Sequence, residues 1–306
     1  MIGETIYKFC KENAYTIEDK NENNKSLILF LRKDGRRFIL KQLIASETED
    51  ITLKLTNEIE SMKSIRETLS DDVRLPDVVE VNEKNHFYIS EMIEGIMLNR
   101  YLDRIGSKSR ELIGIHDKLF GWLRTVYASY MNKSDSLCNE DIFENGPYSK
   151  KVKQVFNDEK LVNELRILFK ERRVPISRVH GDLVPWNIII DRNDRLSVLD
   201  WGNSGFDYPA LDLARYLLQL VKKMYPGCPK KDIINLYWKH FSHLYGHSID
   251  TFKVALLYQY KYSMKILNSK SIGIKIGRAV NNLLNKVLIL FSYKSILRQI
   301  NSLYTK

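Results

Sequence analysis

The stretch that decides the reading of this chain is His180-Gly181-Asp182-Leu183-Val184-Pro185-Trp186-Asn187, followed thirteen residues later by Asp200-Trp201-Gly202. Between them run Ile188-Ile189-Ile190, the polar turn Asp191-Arg192-Asn193-Asp194, and Leu196-Ser197-Val198-Leu199. Two short apolar runs around a polar turn predict a hairpin. Asn187 precedes one arm and Asp200 follows the other. Both side chains are therefore expected at the same end of the hairpin, close enough to share one ion.

The spacing is His-x-Asp-x-x-x-x-Asn and then Asp-x-Gly. Kinases place a base, a metal ligand and a second metal ligand in this order. Phosphoryl transfer asks a protein mainly for positioning and charge neutralisation. In that chemistry Asp182 accepts the proton of the substrate hydroxyl. Asn187 and Asp200 supply hard oxygen ligands, which suit Mg²⁺. A lone Asp-x-Gly would read as an ordinary solvated loop, but three positions in order at the ends of one hairpin argue against that.

The segment resembles the aminoglycoside phosphotransferase and choline kinase superfamily, which shares the protein-kinase-like fold. The family reads His-Gly-Asp-x-x-x-x-Asn and then Asp-Trp or Asp-Phe, matched by His180-Gly181-Asp182 and Leu199-Asp200-Trp201. A further stretch, Asp207-Tyr208-Pro209-Ala210-Leu211-Asp212-Leu213-Ala214, matches the family's Asp-x-x-x-Asp-Leu-Ala type. The resemblance implies an α+β, two-lobed fold. Residues 1–95 would form a small antiparallel-sheet lobe that binds nucleotide. Residues 96–306 would form a larger helical lobe with the catalytic loop, metal site and substrate helices. His180 and Asp212 would support the catalytic loop rather than react.

The N-terminal third extends the likeness. Leu27–Leu31 and Phe38–Leu43 flank Lys33-Asp34-Gly35-Arg36, and Asp-Gly between apolar runs signals a hairpin. Lys41 falls on its second arm, where a kinase keeps the lysine that grips the α and β phosphates. From Thr52 to Leu69, Leu55, Ile59, Met62 and Ile65 recur at helical spacing. In the family a helical glutamate pairs with the strand lysine. Glu58 fits best, with Glu60 as the alternative. His86 to Gly95 reads as a strand running into the hinge, where the backbone of Met92 and Ile93 would hydrogen-bond adenine.

One stretch departs from the pattern. The loop expected over the phosphates, Lys20-Asn21-Glu22-Asn23-Asn24-Lys25-Ser26, has no glycine. Glycine lets backbone N–H groups approach phosphate closely. Asn23 and Asn24 tolerate left-handed backbone and offer a partial substitute.

The chain of 306 residues is long enough for one two-lobed unit. Helices are expected over 112–130, 160–171, 232–244 and 251–267, and a loop over 139–149. Three scattered cysteines, Cys10, Cys138 and Cys228, argue against a disulfide framework. With no apolar leader, they point to a cytoplasmic protein. From Thr251 to the end there are ten Lys or Arg and no Asp or Glu, while the whole chain holds 48 and 38. The earlier residues thus carry 38 of each, and the net charge of +10 lies in the last 56 residues.

That basic, amphipathic segment includes Lys275, Arg278, Lys286 and Arg298. It reads either as a core-facing helix pair with a solvated back or as a surface for an anionic membrane or acidic partner. No recognition motif accompanies it, which argues against nucleic acid. Only nine residues separate Gly202 from Asp212 and no Ala-Pro-Glu follows, so a peptide acceptor is disfavoured. The expectation is a Mg²⁺-dependent kinase that takes ATP or GTP and a small-molecule hydroxyl. The rival is a non-catalytic kinase-like scaffold acting through its basic C-terminal region.

Overall fold

The computed structural model describes residues 2–23, 26–44, 51–105, 109–131, 146–148, 159–224, 228–269 and 276–304. The N-terminal lobe is an antiparallel sheet of β1 (Thr16–Glu22), β2 (Ser26–Lys33), β3 (Arg36–Leu43), β5 (Val78–Asn82) and β6 (Phe87–Glu91), in the order β1-β2-β3-β6-β5. The β2–β3 turn carries Asp34 at φ 49° and Gly35 at φ 73°. Paired positive φ values give the turn whose twist matches the flanking strands.

Side-chain alternation gives this sheet two working faces. Leu27, Leu29, Leu31, Phe38, Leu40, Phe87 and Ile89 form one buried cluster with Ile6 and Cys10 of helix α1 (Ile2–Glu12). Lys41 therefore lies on the opposite face from Leu40, directly across from Tyr88. Helix α2 (Ile51–Ile65) covers that face with Leu55, Ile59, Met62 and Ile65 buried, as their spacing predicted. Helix α1 was not foreseen. Its charges, Glu4, Lys8, Lys11 and Glu12, break the apolar run but all lie exposed, leaving a short inward stripe.

A second sheet joins the lobes in the order β4-β10-β9-β7. Here β9 (Ile188–Ile190) and β10 (Leu196–Val198) are the expected hairpin, paired antiparallel. Strand β7 (Ile96–Met97) follows the hinge and pairs with β9. Strand β4 (Val73–Arg74) comes from before the hinge and runs parallel to β10.

The C-terminal region is helical. It contains α3 (Leu98–Ile105), α4 (Ser109–Met131), α5 (Glu159–Glu171), α6 (Pro209–Lys223), α7 (Lys230–Phe241), α8 (Ile249–Ser269) and α9 (Ile276–Tyr304). A two-stranded ribbon of β8 (Ser177–Val179) and β11 (Gly205–Asp207) completes it. Helix α6 is buried on nearly every side, with Leu211, Leu213, Ala214 and Leu217 wholly inaccessible. Its N-terminal end holds the loop after β8 through the bond from the His180 N–H to Asp212.

Two expectations need correction or restriction. Lys20 to Glu22 are strand, not loop, so the connection between β1 and β2 runs only from 23 to 25. Asn23 closes it, accepting the Ser26 N–H on Oδ1 at 3.0 Å. Asn24 and Lys25 lie outside the described residues, as does the 139–149 stretch apart from 146–148. Among the described residues, no helix is long and apolar enough to cross a membrane.

Candidate active site

The loop that carries Asp182 leaves β8 and turns sharply at Gly181, where φ is 81°. A Cβ there would stand 1.9 Å from the carbonyl oxygen of Asn203, so only glycine fits. His180, just before the turn, ties three segments together. Its backbone N–H donates to Asp212 Oδ2 at 2.9 Å. Its Nδ1 accepts the Asp182 N–H at 3.2 Å, so the ring proton sits on Nε2 and is donated to the Leu199 carbonyl at 2.8 Å. The ring packs on Trp201 with centroids 4.5 Å apart. Asp182 and Asp200 are thereby held on either side of one imidazole.

Asp212 lies in the first turn of α6 and is completely buried. The helix N-terminus favours a carboxylate there. Besides His180 it accepts hydrogen bonds from Tyr127 Oη at 3.1 Å and from Tyr148 Oη. Burial, and next the Asp212 charge, hold both phenols well above their usual pKa, so they remain donors. Asp212 thus joins α4, the 146–148 segment and the loop after β8 through buried hydrogen bonds.

Asp182 makes an ion pair that the motifs did not announce. Arg215 Nη2 donates to Asp182 Oδ1. Arg215 sits three residues after Asp212 on α6, and its guanidinium lies 5.4 Å from the centre of the Tyr262 ring of α8. Burial disfavours its charge, but Asp182, Tyr148 and Tyr262 together outweigh burial and raise its pKa. The i, i+3 spacing from Asp212 was the available signal, since it puts both side chains on one helix face.

Asn187 ends the turn Pro185–Asn187. Its Nδ2 donates to the Asp182 carbonyl at 3.0 Å, leaving Oδ1 as the group free for a cation. The Leu199 N–H donates to the Asn187 carbonyl at 2.8 Å and closes the base of the hairpin. Asp200 follows at φ 65°, an uncommon left-handed conformation for a non-glycine residue. Its side chain stays 44% exposed.

Across the cleft, Lys41 Nζ donates to Asp200 Oδ1 at 2.7 Å and to both Glu58 oxygens at 2.7 and 3.0 Å. Tyr88 Oη donates to Glu58 Oε1 at 3.0 Å. Glu58 is buried, whereas Glu60 is exposed, which separates the two candidates. Partial burial raises the Asp200 carboxyl, but Lys41 outweighs it and leaves the group below the usual range. Burial likewise opposes the Lys41 charge, and Glu58, Tyr88 and Asp200 together hold it well above its usual value. Lys41 and Asp200 thus stay charged at neutral pH. Tyr88 was missed because its register against Lys41 cannot be read from spacing alone.

At the hinge, the Met92 N–H donates to the Arg37 carbonyl at 3.1 Å. That amide belongs to the sheet, so the Met92 carbonyl and the Ile93 N–H are the groups left at this turn. A cavity of about 730 Å³ opens behind the hinge, lined by Arg36, Arg74, Glu91, Arg192 and Arg195 among others. Its lining includes none of Lys41, Asp182, Asn187 and Asp200.

Known proteins give the same architecture. A structure described as a putative aminoglycoside phosphotransferase from Ralstonia eutropha JMP134 aligns at TM-score 0.63 and 13% identity, over 97% of this chain and 98% of that one. The choline kinase LicA of Streptococcus pneumoniae aligns at TM-score 0.59 and 18% identity, over 99% and 100%. A ternary complex of the aminoglycoside phosphotransferase APH(4)-Ia with ADP and hygromycin B aligns at TM-score 0.61 and 14% identity, over 96% and 97%. At these identities the likeness establishes the two-lobed, kinase-like fold. No curated protein matches the chain. The sequence model of the phosphotransferase enzyme family matches residues 27–227, from β2 through α6, and the chain belongs to that family.

Proposed function

We propose that this protein transfers the γ-phosphoryl group of ATP to a hydroxyl of a small molecule, with Asp182 as the base. The observation that carries this reading is the single frame joining Asp182, Asn187 and Asp200 through His180, with Lys41 reaching Asp200 across the cleft. Asn187 Oδ1 and the Asp200 carboxylate would hold Mg²⁺, and their hard oxygens at the two ends of one hairpin fit that ion. When bound, the ion would neutralise charge on the phosphates. Lys41, held straight by Glu58, would contact the same phosphates. His180 and Asp212 fix the loop, and Arg215 fixes the Asp182 carboxylate toward the acceptor side.

The donor is named from the relatives. APH(4)-Ia is seen with ADP and with AMP-PNP, which favours ATP over GTP. Residues 1–95 would carry the nucleotide, with the Met92 carbonyl and Ile93 N–H meeting the base, and residues 96–306 the acceptor. The chain passes between the two sheets at Gly95, which supports that division. The acceptor side speaks against a quaternary-ammonium cage. Of the five candidate aromatics, Trp122 and Tyr258 are buried core residues, Trp238 stacks on Tyr245, Tyr260 stacks on Tyr293, and Tyr262 already faces Arg215.

The scaffold reading keeps its motive, the glycine-free connection and the basic C-terminal segment, but this frame counts against it. A protein that only binds a partner gains nothing from a base, two metal ligands and a phosphate lysine held together by buried bonds. Calorimetric titration of ATP and GTP, with and without Mg²⁺, tests the proposal. Metal-dependent ATP binding that disappears in Asp200→Ala is the expected result. Absence of binding by either nucleotide would return the scaffold to the lead.

A further inference from the structure

Helix α9 is apolar on two opposite faces. Ile289, Ile296 and Ile300, spaced i, i+7, i+11, are buried against the body of the lobe. Val287, Phe291, Lys294 and Arg298, spaced i, i+4, i+7, i+11, form the stripe on the far side. On that stripe Phe291 is 66% exposed and Val287 39%, with Leu288 beside them at 38%. A core helix has no reason to offer a phenylalanine to water.

The neighbouring elements sharpen the pattern. A cavity of about 340 Å³ opens beside the stripe, with an apolar floor of Val221, Met224, Leu288 and Phe291. Its rim is cationic, with Lys222 from the end of α6, Lys230 from the start of α7, and Lys294 and Arg298 from α9. None of these four takes part in a salt bridge among the described residues. The only acidic group close in sequence to any of them is Asp232, and residues 251–306 contain none. Burial, and then the adjacent charge of Lys223, hold the Lys222 ammonium below its usual pKa, a strain that an anion would relieve.

We propose that this face docks onto an anionic bilayer, with headgroup phosphates among Lys222, Lys230, Lys294 and Arg298 and with Phe291, Val287 and Leu288 entering the interface. An exposed aromatic flanked by aliphatic residues and ringed by cations is the composition of an interfacial helix. The surface belongs to α7 and α9 and the far end of α6, away from Asp182 and Asp200, and the phosphotransfer reading neither requires nor predicts it.

Sedimentation with phosphatidylcholine vesicles, with and without phosphatidylserine, tests it on the full chain. Binding is expected only with phosphatidylserine and should weaken with salt. Phe291→Ser and the pair Lys294→Glu and Arg298→Glu should each lower the partition at least about tenfold. Nucleotide binding should be unchanged, which separates this result from any failure of the catalytic reading. No vesicle binding by the unmodified protein would overturn the proposal, as would equal binding to both vesicles or binding that survives both substitutions. Binding to polyglutamate without binding to vesicles would overturn it in favour of an acidic protein partner.

Discussion

Two aspartates twelve residues apart live under opposite conditions. Asp212 is sealed in the helical lobe and accepts from His180, Tyr127 and Tyr148. Asp200 stands at the cleft with 44% of its side chain open, with Lys41 as its hydrogen-bonding partner. The first has no capacity left for a ligand, and the second keeps an oxygen in reserve. Buried polar groups are satisfied because leaving them unmade costs free energy. A working carboxylate must instead stay partly unsatisfied. The difference separates what holds the site from what acts in it.

The comparison can be broken by substitution. Asp182→Ala, on the working side, should leave the fold intact and lower turnover by about 10³- to 10⁴-fold. Steady-state kinetics beside a thermal melt check both halves, and unchanged turnover would sink the catalytic assignment. Asp212→Ala, on the braced side, should show the reverse order of damage. Three donors lose their acceptor, and stability should fall by about 3–5 kcal/mol in urea unfolding.

The braced side should also set the acid limit. His116 of α4 is wholly buried, giving its Nδ1 proton to the Leu112 carbonyl at 2.7 Å and accepting from Tyr216 Oη at 3.1 Å. Burial outweighs the Leu112 bond and pushes its pKa down to about 4. The unfolded chain binds the proton from about pH 6.5, so stability is full above that value and is lost as pH falls toward 4. The loss should reach about 3 kcal/mol, and His116→Gln should flatten the profile of unfolding midpoints. A slope that persists in that variant would move the limit elsewhere.

Arg215 tests whether the two sides are separable, because it grows from the braced helix and touches the base. Arg215→Ala should lower kcat by about 10²-fold through a misplaced carboxylate, with the KM for ATP unchanged. A rise in that KM instead would mean that Arg215 serves the phosphates.

What could be read in advance follows the same division. The residues proposed to act, Asp182, Asn187, Asp200 and Lys41, could be named in advance because phosphoryl transfer demands fixed residue types at fixed spacing. Glu58 was separable from Glu60 only by burial, which a helix pattern does not resolve at its edge. The bracing phenols were not legible, since Tyr127, Tyr148 and Tyr88 reach their partners from distant segments through tertiary packing. Helix α1 was lost because four exposed charges hide its short inward stripe of Ile6, Phe9 and Cys10. The loop over the cleft was drawn too long because polar β1 residues, exposed on an edge strand, look like loop.

Strand β4 has a mechanical meaning. The chain enters the second sheet at Val73–Arg74, returns to the first, and enters again at Ile96–Met97. A lid fastened at two separate points turns about the line between them rather than swinging freely from one. Any opening of this cleft would then be a rotation with a fixed axis, like a door on two pins. Lys41, set back from that axis, would return to the same point above Asp200 on every closure.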